Sequence, residues 1–100
     1  MNRINSEMNG GHLTIRIQGS FDLHIFDEFH AAYPEKMAGV SKVTVDLSAT
    51  NNVDSSALGM LISLWKLLNE DKNRLSVRGA NADIMELLEI GQIGQLMIIE

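Results

Sequence analysis

The 100-residue sequence predicts an α/β domain, a mixed β-sheet with helices packed on it in the order β-β-α-β-α-β-α-β. Three observations lead there. Leu13, Ile15 and Ile17 alternate with Thr14, Arg16 and Gln18, the period of a strand buried on one face. Residues 55–70 are apolar at helical spacing over a length no ordinary strand reaches. Strand-like and helix-like segments then alternate to the end of the chain, which implies parallel strands joined by right-handed crossovers.

Each element has a local reason. Gly10-Gly11 is the strongest turn signal, and it joins residues 3–9 and 12–18 into a hairpin. Gly19-Ser20-Phe21-Asp22 reads as a loop entering a helix, with Asp22 accepting from free N–H groups of the first turn. Phe26, Phe29, His30 and Tyr33 recur at helical spacing beside Ile25. Pro34 would remove a helical hydrogen bond, so the helix kinks there or a second short turn starts there, and Gly39 is the later stop. Residues 42–47 are a β-rich run, followed by the polar loop 48–52. The helix over 55–70 carries nine apolar residues between Ala57 and Leu68 and leaves through the solvated stretch 69–73. Residues 75–79 form a short strand. Asn81 or Asp83 caps a third helix bearing Ile84, Met85, Leu87 and Leu88, which Gly91 ends, and residues 96–99 close the chain as a last strand.

The bulk numbers describe one globular domain over residues 1–100. Hydrophobic residues make up 45% and charged residues 21%, outside the disordered range. Eight Lys and Arg against thirteen Asp and Glu give a net charge of −5, and the cations are scattered, which argues against nucleic acid as a partner. The absence of cysteine removes disulfides, thiolate metal sites and cysteine nucleophiles. The N-terminus lacks the apolar stretch of a signal peptide, and the longest apolar segment is far short of a membrane span. A cytoplasmic domain with no direct membrane contact is the expectation.

Catalysis finds little support. The chain holds Ser, His and Asp, but no G-x-S-x-G, no H-E-x-x-H and no glycine-rich phosphate loop. His24 and His30 are six residues apart, which does not set them on one helical face for a metal. Neither an enzyme nor a metal or other cofactor is expected. The informative stretch is Asp54-Ser55-Ser56, three polar side chains at a helix start where a single cap would suffice. A hydroxyl there is well placed to receive a phosphoryl group, because the helix dipole and free N–H groups welcome its charge of about −2. Asp54 would orient the hydroxyl before transfer and repel a partner's acid afterwards. Two apolar stripes run along the helix behind it. Leu58, Leu61, Ile62, Trp65 and Leu68 suffice to pack on a sheet. Ala57, Met60, Leu64 and Leu67 are then covered by neighbouring helices, or form an exposed groove edge in which Met60 supplies adaptable partner contact.

These residues carry a resemblance. The segment VTVDLSATNNVDSSALGMLISLW (43–65) resembles the signature of the STAS domain of bacterial anti-sigma-factor antagonists, a strand ending in D-L, a short loop, and D-S-S/T-G/A-L-G opening a helix. IRIQGSFD (15–22) is similar to that family's earlier strand and loop, and LSVRGANADIMELLEIGQIGQLMII (75–99) to its ending. Ala57 stands where many members have Gly, and the loop SATNN lacks the common aromatic before the Asp. The segment FDEFHAAY with Pro34 looks like a subgroup tied to two-component, biofilm or motility switches.

The resemblance implies a switch without catalysis of its own. Such domains bind an anti-sigma factor that is often also a serine kinase, and thereby free a sigma factor. The kinase phosphorylates the serine after the motif's Asp, which breaks the complex, and a serine phosphatase restores it. Carried over, the phosphoacceptor is Ser55, with Ser56 as second choice. The partner surface would comprise Asp22, Asp54, Ser55, Ser56, Ala57 and Met60. The alternative is a STAS accessory subunit of a lipid or anion transport system with a docking role and no phosphorylation.

Overall fold

The computed structural model describes residues 3–100. Strands β1 (Ile4–Asn9) and β2 (His12–Ile17) form the expected hairpin, with Asn9 opposite His12. Gly10 and Gly11 both lie at positive φ, 58° and 87°, as a two-residue turn matching the strand twist requires. Strands β4 (Lys42–Asp46), β6 (Leu75–Arg78) and β7 (Ile98–Ile99) complete a five-stranded sheet of order β1-β2-β4-β6-β7, in which only the β1–β2 pair is antiparallel. The crossovers hold α1 (Phe26–Ala31), α2 (Ser55–Leu67) and α3 (Ala82–Ile90). The sheet therefore follows the predicted order.

Two short strands belong to a separate ladder. β3 (Gly19–Phe21) and β5 (Thr50–Val53) pair in parallel, extending the ends of β2 and β4 beyond the main sheet. Both segments read as loops in the sequence because Gly-Ser-Phe and Thr-Asn-Asn-Val show neither length nor alternation. What makes them strands is each other, with Thr50 donating from its hydroxyl to the Ile17 carbonyl at 2.7 Å to hold the junction.

Sheet alternation divides the two faces. Leu13, Ile15, Ile17, Val43, Val45, Leu75 and Val77 join the helices in one core. The alternate residues form a polar face. There His12 Nε2 lies 2.7 Å from Thr44 Oγ1, which lies 3.0 Å from Ser76 Oγ. Asp46 accepts from Arg78 Nη2 at 3.2 Å.

At Pro34 and at the start of α3 the structure selects one of the two expected alternatives, and elsewhere it shifts element boundaries. α1 ends before Pro34, and a turn starts at that residue, with the Met37 N–H donating to the Pro34 carbonyl at 3.2 Å. Leu23–Ile25 forms a 3-10 turn ahead of α1, which rotates Ile25 into the core and leaves Phe26 42% exposed. Asn81 is the cap of α3, accepting from the Ile84 N–H at 2.9 Å. Leu96 closes a 3-10 turn, so β7 holds only two residues. On α2 the core takes Ala57, Met60, Leu61, Leu64 and Leu68, while Leu58, Ile62 and Trp65 are half-buried at its margins. The buried face thus combines members of both predicted stripes, because Ala57, Met60, Leu61, Leu64 and Leu68 recur at i, i+3, i+4, i+7 and i+11 and so share one helical face lying between the two.

Candidate functional site

The β3–β5 ladder is what builds the site. Phe21 is the register partner of Val53, so the residues that follow them, Asp22 and Asp54, leave the ladder side by side. Each then caps the turn it opens. Asp22 Oδ1 accepts from the His24 N–H at 2.9 Å and lies 3.2 Å from His24 Nδ1. Asp54 Oδ1 accepts from the N–H of Ser56 at 3.0 Å, from its hydroxyl at 2.5 Å, and from the Ala57 N–H at 3.3 Å. The Ser56 hydroxyl, and after it these N–H groups, hold the Asp54 carboxyl below the usual carboxylate range. Asp54 is therefore ionised at neutral pH, and two carboxylates flank the start of α2.

The two serines differ in their attachments. Ser56 is half-buried and its hydroxyl is committed to Asp54. Ser55 is exposed, and its hydroxyl has no hydrogen-bond partner among the described residues. The hydroxyl that Asp54 orients is thus that of Ser56. One turn on, Gly59 is exposed with open space where a Cβ would stand, and the Ser63 hydroxyl folds back onto the Gly59 carbonyl at 3.1 Å.

Of the residues expected at a partner surface, Asp22, Asp54, Ser55 and Ser56 converge here. Ala57 and Met60 do not belong to it. They are 0% and 3% exposed and lie in the core, so the expectation that they touch a partner is corrected. The tight turn capped by Asp54 rotates Ala57 inward, and Met60 follows it on the same helical face. In their place the structure presents Leu23, 65% exposed, and Phe26. Leu23 follows Asp22 directly in the chain, and Phe26 stands four residues after it. The signal that could have found them is local, since Asp22 caps a 3-10 turn whose three-residue period breaks the helical spacing that assigns Phe26 to the core.

The histidines are dispersed. His12 sits on the polar sheet face against Thr44, His24 against Asp22, and His30 Nδ1 at 2.9 Å from the Phe26 carbonyl. No cluster of three or more potential metal ligands occurs among the described residues. No helix among them is long and apolar enough to cross a membrane.

Comparison with known proteins places this arrangement. A family model described as "Mlab, STAS domain" matches residues 4–99. A STAS-domain containing protein of Pseudomonas aeruginosa is 33% identical over 91 residues, covering 91% of this chain and 90% of its own. An anti-sigma F factor antagonist of Paenibacillus polymyxa is 25% identical over 99 residues, covering 97% and 85%. Among solved structures, the unphosphorylated anti-sigma factor antagonist SpoIIAA superposes with a TM-score of 0.72 at 16% identity, covering 97% of this chain and 86% of that one. SpoIIAA of Bacillus in its phosphorylated form gives 0.69 at 18%, covering 97% and 90%. A putative antagonist from Thermotoga maritima gives 0.79 at 14%, covering 96% and 84%. At these identities the structural likeness speaks for the fold.

Proposed function

The chain belongs to the STAS domain family, and from that premise we propose that it is an anti-sigma-factor antagonist, a cytoplasmic switch that sequesters an anti-sigma factor or switch kinase and is inactivated by reversible phosphorylation of Ser55. Relatives from Paenibacillus polymyxa and Staphylococcus epidermidis are named as antagonists of anti-sigma factors, and on that ground the transport-subunit reading is not favoured. The role requires binding and no catalysis by this chain.

One observation carries the assignment of Ser55. Its hydroxyl is exposed and uncommitted at the first position of α2, whereas that of Ser56 is hydrogen-bonded to Asp54. A kinase would meet Ser55 without first breaking a contact. A phosphoryl group there adds about −2 beside the carboxylates of Asp22 and Asp54, while the helix N-terminus offsets part of that charge for the folded chain. The domain survives and the docking surface changes sign density. Leu23 and Phe26 supply the apolar part of that surface, the component a charged cap cannot provide.

The test uses purified protein with its anti-sigma factor, the cognate kinase and a serine phosphatase. Ser55→Ala retains partner binding and takes up no phosphate, and Ser55→Glu weakens binding by about tenfold or more. Phosphate incorporated to full stoichiometry in Ser55→Ala overturns the assignment and passes it to Ser56.

A further inference from the structure

The groove between α3 and β7 is lined by no residue of the Ser55 site and has a different character. Residues 79–100 contain Asp83, Glu86, Glu89 and Glu100 and neither Lys nor Arg, so four carboxylates with no cation supply −4 of the chain's −5. All four are exposed. Between α3 and β7 lies an open groove of about 310 Å³, lined by Met85, Leu88, Glu89, Gly94 and Ile99. Its lining is apolar apart from Glu89. At the end of α3, Ile90 is 72% exposed, more than any other large apolar side chain among the described residues. A Cβ on Gly94 would meet Ile99 Cγ1 at 3.8 Å, an ordinary van der Waals contact, so a larger side chain at that position has room to enter the groove. β7 also ends the sheet, so its outer edge carries no strand among the described residues.

Apolar surface of this kind needs an occupant, and the charge decides which. A second copy would bring its own carboxylates against these, and like charges across an interface are costly. An anionic lipid surface is repelled for the same reason. We infer that the α3–β7 groove docks a short basic amphipathic segment of a partner protein, with an apolar side chain seated among Met85, Leu88 and Ile99 and its Lys or Arg residues set against Glu89 and, one turn before it on α3, Glu86. Met85, unbranched and adaptable, suits a pocket that accepts Leu, Ile or Phe alike. The acidic rim steers a cationic partner and makes its association rate fall with salt.

The probe is a synthetic amphipathic Leu/Lys peptide titrated into the isotope-labelled full chain, with a Leu/Glu peptide of the same pattern as its counterpart. Amide shifts concentrate on Met85, Leu88, Glu89, Gly94 and Ile99 and spare Leu23 and Ser55, and the Leu/Glu peptide produces none. Glu86→Lys with Glu89→Lys lowers the Leu/Lys affinity by about tenfold and flattens its salt dependence. Gly94→Leu, which fills the groove from within, abolishes binding. Should that variant fail to fold, the double charge reversal, confined to exposed side chains, still decides. Shifts centred elsewhere, equal binding of the two peptides, unchanged affinity in the charge-reversed chain, or a self-association or anionic-vesicle affinity that Gly94→Leu removes would each overturn the inference.

Discussion

At the scale of single residues, Asp54, Ser55 and Ser56 divide structure and chemistry between them. Asp54 satisfies two backbone donors of α2 and the Ser56 hydroxyl, so Asp54→Ala costs about 1 kcal/mol in denaturant unfolding, the usual loss for a helix cap. Ser55→Ala leaves stability within about 0.5 kcal/mol, because its hydroxyl supports nothing in the fold. A polar residue at a helix start that stability does not need is free to serve a partner. The same contrast separates Leu23 and Phe26 from Met60. Leu23→Ser with Phe26→Ser leaves the chain folded and lowers anti-sigma-factor affinity by about tenfold, measured by calorimetry. Met60→Ala instead costs about 2–5 kcal/mol, since it empties a core position. A parent-like affinity in the Leu23/Phe26 variant would remove both side chains from the docking surface.

At the scale of elements, the end of α2 depends on a residue far from it in sequence. The Arg74 guanidinium donates to the carbonyls of Val40 at 2.8 Å, Ser41 at 3.0 Å and Leu68 at 3.4 Å. It thereby ties the last turn of α2 to the loop that leads into β4. Replacing it leaves carbonyls of a partly buried junction without a donor, so Arg74→Met lowers unfolding free energy by about 2 kcal/mol. Arg74→Lys recovers only part of this, because one ammonium cannot match a planar fork of donors. A full recovery by lysine would show that charge, not geometry, holds the junction. Nothing near Arg74 in the sequence announces this role. The β3–β5 ladder is a second case. Each strand is too short and polar to be recognised alone, yet their register sets Asp22 beside Asp54.

At the scale of the whole molecule, two carboxylates link stability to pH. Burial pushes the Asp46 carboxyl up, but hydrogen bonds from the Ser48 hydroxyl and N–H and the charge-assisted contact with Arg78 outweigh it and hold it below 3.8. Asp54 is held low in the same sense, chiefly by Ser56. A carboxyl whose folded pKa is depressed binds fewer protons in the folded state than in the unfolded one. Its stabilisation is therefore present above the unfolded value of 3.8 and is lost as pH falls through the lower folded one. Urea midpoints decline between about pH 5 and pH 2, and Asp46→Asn with Asp54→Asn flattens that decline. An unchanged slope in the double variant would assign the acid sensitivity to other groups. The amino-acid sequence by itself determined the order of the helices and of the five main-sheet strands, the Gly10-Gly11 hairpin, and the cluster of Asp54, Ser55 and Ser56, because period, turn chemistry and capping are local properties. Only the tertiary structure decided which face of α2 is buried, that Ala57 and Met60 lie inside while Leu23 and Phe26 lie outside, and which serine is uncommitted. Those outcomes depend on which helix face meets the sheet and on a ladder between segments some thirty residues apart, and burial is settled by what a side chain meets across that distance.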